Sequence, residues 1–555
     1  MRIGKKRLPL QYILVTAFII DVVVSLVLGY IGFQIHTAAA HHPISVLNNC
    51  YLTLQLFTSA SGNVPGMNWA LQIARFAAPF ASASALIWVI AFSAREHYHR
   101  IKLRWTKGHV VICGLGRNGP QLVREFLNKG YQVVAVEINP QNGHIRDCFE
   151  DGANIVIGDA SSEAVLRRAH VTHAKHLIAV AGDDGVNAKI AGQMVNILKD
   201  SKTVGRLTCH FHIVNFHLYG LVKDNNLTQA KSETMSYSLF NIYQNSARLL
   251  FQKHLVADPG RLADEQYQPH LIIIGLGDMG EAVLVQAAKI GHFTPTKSLH
   301  ITVVDKSAGA LSKQILHRHP GLQQVCKIES IDADVTDHER QSEIARLAGD
   351  KNSPAMIAFC FGNDYLNVTC ALEMSKLIPN KEVSILVRIN KHAGYGTLIG
   401  QETRTAESPP QCAIHPFGWV ESTSTSETLL SESLDAIAGQ LYRNDKPGGS
   451  EWKAISEQAK DIYRRRADHV YIKLMLIHRA VGKDQSGSFD TFTEGEIKVM
   501  ADAEIARRVA EEKLKMSRSG NNSQGQTGHQ VTEADLKAVR EIMKVIGESG
   551  SSQST

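Results

Sequence analysis

Residues 109–139 read HVVICGLGRNGPQLVREFLNKGYQVVAVEIN. A β-run leads into Gly114-x-Gly116-x-x-Gly119, a helix-period stretch follows, and a second β-run ends at Glu137. Glycines so placed let the backbone approach a phosphate at a helix N-terminus, and a carboxylate about 20 residues on can hold ribose hydroxyls. The order strand, turn, helix, strand is the context in which this fingerprint carries weight, so the stretch predicts a doubly wound α/β domain.

The pattern returns downstream. HLIIIGLGDMGEAVLVQAAKIG carries Gly275, Gly277 and Gly280, and HITVVDK ends its apolar run at Asp305. Further landmarks repeat: AVAGDDGVNAKIA at 179–191 matches AFCFGNDYLNVTCA at 358–371, aligning Gly182, Asp184 and Asn187 with Gly362, Asp364 and Asn367. Self-similarity of this kind predicts two such domains in tandem.

GLGRNG, the VVAVEIN strand, IVIGDA at 155–160 and the AVAGDDGVN turn resemble the RCK (TrkA-N) domain, which regulates potassium channels and transporters. The resemblance covers residues 109–260 and, more loosely, 269–440. It implies that Gly114, Gly116, Gly119, Glu137 and Asp159 contact NAD(H) or another adenine nucleotide. In the second copy it implies Gly275, Gly277, Gly280, Asp305 and Asp334, the last within DADVTD. A dehydrogenase would need a substrate domain with a proton donor beside the nicotinamide. None is evident, and His170, His173 and His176 do not supply one, so no enzymatic activity is expected.

The N-terminus is of another kind. Leu10 to Ile35 and Trp69 to Ser93 are apolar runs of about the ~20 residues that span a bilayer. Arg2, Lys5, Lys6 and Arg7 precede the first, and Arg95, Arg100, Lys102, Arg104 and Lys107 follow the second, so both flanks are expected in the cytoplasm. The first run is too long for a cleaved signal peptide, whose apolar region is ~7–15 residues.

Between the runs lies YLTLQLFTSASGNVPG, 51–66. Residues 45–58 would make a short re-entrant pore helix, with Ser59 to Val64 in the filter's place, and Thr58, Ser59, Ala60, Ser61, Gly62 and Asn63 are assigned to the pore. Potassium filters are built from TVGYG carbonyls, which this segment lacks, so potassium selectivity does not carry over. From His36 to Ala74 there is no Asp, Glu, Lys or Arg; Arg75 is the first charge, and Pro79 follows it. A charge within a span costs at least ~2.5 kcal/mol at the bilayer centre, so Arg75 and Pro79 are assigned to the conduction path. Arg75 would favour anions if it faced a central axis, or would snorkel to the interface.

After NDKPGGS at 444–450 come WKAISEQAKDIYRRRADHVYIKLMLIHRAVG and FTEGEIKVMADAEIARRVAEEKLK. The tryptophan, RRRADHVYIKL and the later acidic-then-basic helix resemble the RyR domain. The resemblance implies a polar pocket for a charged small molecule lined by Arg464, Arg466, Asp468, His469 and Lys473. The bland reading of the same residues is a solvated basic face with surface pairs. The second helix, AEIARRVAE at 503–511, lacks the family's Glu-His followed by Arg-Trp, so ligand contacts from Glu504 and Arg507 are not implied.

The 555 residues carry a net charge of +6, spread over a long chain, which says little about nucleic acid, and no nucleic-acid partner is expected. Eight cysteines without CxxC spacing point to reduced thiols and no metal. The expected layout is a two-span membrane module (1–95), a linker (96–108), two Rossmann-like domains (109–260 and 261–445), a helical RyR-like domain (446–516) and a flexible tail with a short helix (517–555). As a whole it reads as a homotetrameric, ligand-gated, channel-like protein of a bacterial inner membrane. A membrane-tethered nucleotide sensor that conducts nothing is the alternative.

Overall fold

The computed structural model describes residues 10–39, 44–59, 67–200, 207–215, 218, 235–380, 382–390, 412–418, 432–452, 455–478, 492–519, 536 and 539. The chain divides into two compact units, Met1–Thr106 and Lys107–Thr555.

In the first unit, helices Leu10–Ala39 and Trp69–Trp105 flank a short helix, Val46–Gln55, extended by a 3-10 turn over Leu56–Thr58. Thr16–Ala39 and Trp69–Ile87 are long and apolar enough to cross a membrane. The long helices pack closely because Gly32 has no side chain: a Cβ there would lie 2.7 Å from the backbone nitrogen of Leu71. Alanines Ala70, Ala74, Ala78 and Ala81 form the buried face of the second long helix, while Ile73, Phe76, Phe80 and Ile87 are exposed. That is the pattern of a helix with protein on one side and an apolar solvent on the other.

The second long helix does not end with the apolar run. It continues to Trp105, so the expected linker 96–108 is mostly helix. No glycine or proline occurs between Pro79 and Gly108 to stop it. Pro79 sits inside the helix without ending it, although it leaves the Arg75 carbonyl without its usual amide partner.

The second unit contains two parallel six-stranded sheets. The first holds β1 (Val110–Cys113), β2 (Val133–Glu137), β3 (Asn154–Ile157), β4 (His176–Ala179), β5 (Leu207–His212) and β6 (Met235–Phe240), in the order β3-β2-β1-β4-β5-β6. The second holds β7 (His270–Ile274), β8 (Leu299–Asp305), β9 (Cys326–Asp332), β10 (Met356–Phe359), β11 (Ser384–Arg388) and β12 (Ala413–Phe417). Its order, β12-β11-β10-β7-β8-β9, is the same topology. Strand β1 pairs in parallel with both β2 and β4, and β7 with both β8 and β10, so the chain reverses its winding at β1 and β7. Ligands of doubly wound sheets bind at that switch point. The central strands are buried on both faces, as continuous runs such as VVIC and HLIII require.

Helix Ile242–Lys253 joins the two sheets and enters the core of the second, where Leu250 and Phe251 share a cluster with Val283 and Leu284. Helices Glu457–Leu476 and Glu494–Ser519 enter the same core through Ile472, Leu476, Ala503 and Ala510. The expected boundary at 445/446 also runs through a shared cluster, in which Leu441 and Tyr442 meet Trp452, Val470, Met500 and Val539. The C-terminal helices are thus continuous with the second domain, one part of their apolar surface entering its core and another closing a cluster with Leu441 and Tyr442. All eight cysteines are unpaired; seven are buried, and Cys50 is exposed.

Candidate functional site

Gly114 follows β1 in a left-handed conformation, φ +102°, and a Cβ there would stand 2.9 Å from the backbone of Ala181. A Cβ on Gly119 would approach the Gly114 carbonyl oxygen to 2.1 Å. Gly116 has open space around it. Two of the three glycines therefore close the turn, and the middle one leaves room for a ligand. The helix they introduce, Gly119–Asn128, has no side-chain hydrogen bond at its N-cap Asn118 and carries Pro120, which has no amide to satisfy, in its first turn, so no side chain caps this end.

Glu137 is buried at the end of β2, and both its oxygens accept backbone hydrogen bonds. Oε2 takes the Leu115 amide at 2.8 Å, inside the glycine loop, and Oε1 takes the Asn139 amide at 2.9 Å. It braces the loop, and its remaining lone pairs are the ones a ribose would use. Asp159 is exposed, its Oδ1 accepting the Ser161 amide at 2.8 Å. The far side of the crevice is sealed by buried Asn187, which bonds both the nitrogen and the oxygen of Ala181 and the carbonyl of His212.

The second domain repeats this construction atom for atom in several places. Gly275 has φ +91°, a Cβ on Gly280 would lie 2.0 Å from the Gly275 oxygen, and Gly277 faces open space. Asp305 Oδ2 accepts the Leu276 amide at 2.9 Å, and Asn367 bonds Phe361 and the Arg388 carbonyl. Asp334 is engaged elsewhere: it pairs with Lys306 at 2.8 Å and accepts from Thr336, and these contacts, the lysine first, hold its carboxyl down at about 2.

A family model, the TrkA-N domain, matches residues 110–220. That segment is a TrkA-N domain. Similar curated proteins are "Probable potassium channel protein 2" of Methanocaldococcus jannaschii, 33% identical over 89 residues, which are 16% of this chain and 25% of that one. "Potassium channel protein 1" of the same organism is 33% identical over 101 residues, 18% of this chain and 29% of that one. A "Trk system potassium uptake protein TrkA homolog" of Pyrococcus horikoshii is 32% identical over 80 residues, 14% of this chain and 34% of that one. The chain thus spans about a quarter to a third of the length of these relatives. Among solved structures, "GsuK channel bound to NAD" is 13% identical with a TM-score of 0.41, covering 78% of this chain and 84% of that one.

The TrkA-N domain and the second domain share one aromatic contact that the sequence does not reveal. Tyr243, on the helix joining them, lies 6.3 Å from the His212 ring at the end of β5, and the Arg388 guanidinium at the end of β11 stands 5.5 Å over it. His212 and Arg388 occupy matching positions of the two sheets. Burial holds the His212 ring down to about 4, so it is neutral, and burial also works against the charge of Arg388. The Arg388 Nε has no hydrogen-bond partner among the described residues.

The pocket expected from the RyR resemblance is not open. Asp468 accepts Arg248 Nε at 2.9 Å and Gln286 Nε2 at 2.9 Å, and Arg464 pairs with Asp435 at 2.6 Å. Arg466 pairs with Asp445, Lys473 with buried Glu504, and His469 Nε2 meets the His292 carbonyl oxygen at 3.0 Å. Arg507 completes this set, bonding Glu504 and Glu511 at 2.7 Å. Asp468, His469 and Lys473 are buried: the first two hold the helix against Arg248, Gln286 and His292, and Lys473 ties it to the neighbouring C-terminal helix through Glu504, so none lines an open cavity. A solvated basic face is equally excluded for these three, because all are buried.

In the membrane unit, Thr58 Oγ1 bonds the Gln55 carbonyl, and Ser59 adopts φ +59° as the chain leaves the short helix. Ala60, Ser61, Gly62 and Asn63 lie outside the described residues. Arg75 is exposed, with Nη1 3.8 Å from Met67 Sδ.

Proposed function

We propose that this is a membrane-embedded, ligand-regulated, channel-like protein in which an adenine nucleotide such as NAD(H) binds the TrkA-N glycine loop and changes the state of the membrane unit. The observation that carries the reading is the company the TrkA-N domain keeps. Its chain also holds a unit in which two span-length helices grip a short helix ending in a left-handed residue. Irregular backbone at membrane depth is tolerated only where protein or water surrounds it, which is the setting of a pore loop. Regulation requires that the ligand bind two states unequally, and helix Trp69–Trp105 reaches without a break almost to the start of β1. The protein acts by binding and not by turnover. It works as a homotetramer in a bacterial inner membrane, with both termini and the Rossmann-like domains on the cytoplasmic side, and with the C-terminal helices, RyR-like in sequence, as part of the cytoplasmic body.

A tethered sensor that conducts nothing is the second reading, favoured by the missing TVGYG and the exposed Arg75. Recordings of purified protein in planar bilayers under a KCl gradient, with and without NAD, NADH, AMP, ATP or ADP-ribose on the cytosolic side, separate the two. Ligand-dependent current supports the channel, and its reversal potential tells a cation path from the anion path that Arg75 would favour. Silence from folded tetramer under every ligand supports the sensor.

A further inference from the structure

The two glycine loops have the same backbone and opposite charge. Gly116 is followed by Arg117, and Gly277, at the same place in the repeat, by Asp278. Asp278 is the first residue of helix Asp278–Ile290, and Glu281 stands in the same first turn, so the loop that could receive a phosphate begins with two acids. Glu281 is committed to Arg318 and His319. Asp278 makes no ion pair among the described residues. Burial, followed by the neighbouring charge of Glu281, raises its carboxyl above the usual range; Asp184 of the first domain acts in the same direction, against the smaller opposing effects of Arg388 and Arg117. The backbone offers the anion seat that two glycine loops share, and the side chain at its rim repels an anion.

We propose that Asp278 closes the second glycine loop to phosphate-bearing nucleotides, so that the chain binds one such ligand and not two. This rests on the nucleotide reading of the TrkA-N domain. A carboxylate where the first loop carries a guanidinium disfavours a phosphate by charge, so ADP is expected to bind the second loop at least about tenfold more weakly than the first.

The test is the stoichiometry of ADP binding to the detergent-solubilised full chain by calorimetry. Gly116 and Gly277 both face open space, and neither has a positive φ. A Cβ at either place meets no protein atom within 4 Å, so valine is the substitution chosen to fill the phosphate seat. One ADP per chain is expected, lost in Gly116→Val and kept in Gly277→Val. Asp278→Arg adds a second ADP, and Asp278→Asn a weaker one, which guards against misfolding of the arginine variant. Two ADP in the unaltered chain, or binding lost in Gly277→Val, overturns the inference. If the unaltered chain binds no ADP, the reading of the first domain fails; the inference then stands on Asp278→Arg alone, upheld by a gain of one ADP and overturned by none.

Discussion

Arg248 and Asp468, 220 residues apart, form a buried ion pair in which Nε and Nη2 of the guanidinium both reach the carboxylate, at 2.9 and 3.0 Å. Arg248 also donates to Asp435 at 2.9 Å, and Asp435 in turn takes Arg464. One cation on the helix between the two sheets thus holds both the segment before the C-terminal helices and the first of those helices. Burial opposes the charge of Asp435, yet Arg464 and then Arg248 bring its carboxyl down to about 2.

Removing Asp468 leaves buried Arg248 with Asp435 alone, a carboxylate that Arg464 already shares. Asp468→Ala is expected to cost about 3–5 kcal/mol. The double change Arg248→Met with Asp468→Leu should cost much less than the sum of the single changes, because no charge is stranded. Urea unfolding of the solubilised protein reads this directly, and additive losses would show that the two residues do not act as a pair.

Glycines of the first loop differ in what they do, and their alanine variants should differ too. Gly119→Ala places a methyl 2.1 Å from the Gly114 oxygen, so the turn must open, at a cost of about 1–3 kcal/mol and with loss of nucleotide binding. Gly116→Ala meets no protein atom within 4 Å. It should leave stability within about 0.5 kcal/mol while weakening nucleotide binding. Melting curves with and without ADP distinguish the two effects.

Acid should destabilise the second unit earlier than carboxylate chemistry would suggest. Burial lowers His176, His212, His254, His270 and His292 to about 4 from 6.5. Each is neutral in the folded state, so the unfolded chain binds more protons once the pH falls below 6.5. The stability is complete above that pH and is lost progressively down to about 4, by up to ~1.4 kcal/mol per pH unit for a fully buried ring. His292→Leu should flatten the pH dependence of the midpoint, since its Nε2 meets no partner among the described residues. An unchanged slope in that variant would remove His292 from the account.

The fold of the two α/β domains was legible because its signals are local. A glycine that must take φ +102° or leave room for a carbonyl is written in the residue itself, and the acid after the second strand lies only 22 residues from the amide it braces. What escaped was long-range or spatial. Asp468 looked like a ligand residue on its own helix, and only the fold brings Arg248 and Gln286 to it. Tyr243 belongs to no motif, yet it separates His212 from Arg388. The contrast between Arg117 and Asp278 was present in the aligned loops, and weighing charge as well as glycine spacing would have found it.

Among the described residues of the first unit, three side-chain bonds to backbone carbonyls join its helical segments. Asn49 Nδ2 reaches the Tyr30 oxygen at 3.2 Å, Asn68 Nδ2 the Gly32 oxygen at 2.8 Å, and Ser82 Oγ the Phe57 oxygen at 2.9 Å. Each joins segments far apart in sequence, and Asn68 also caps the second long helix by accepting the Leu71 amide at 3.0 Å. Interhelical bonds of this kind contribute about 0.6–1.7 kcal/mol in membranes, so Asn68→Ala should lower stability in detergent by about 1–2 kcal/mol, cap included. Thr37→Ala removes only a bond within its own helix, to Phe33 at 2.9 Å, and should have little effect. If the short helix is the support of a pore loop, Ser82→Ala should also alter any conductance while Thr37→Ala does not. Equal losses from Asn68→Ala and Thr37→Ala would mean that the long helices are held by close packing at Gly32 alone.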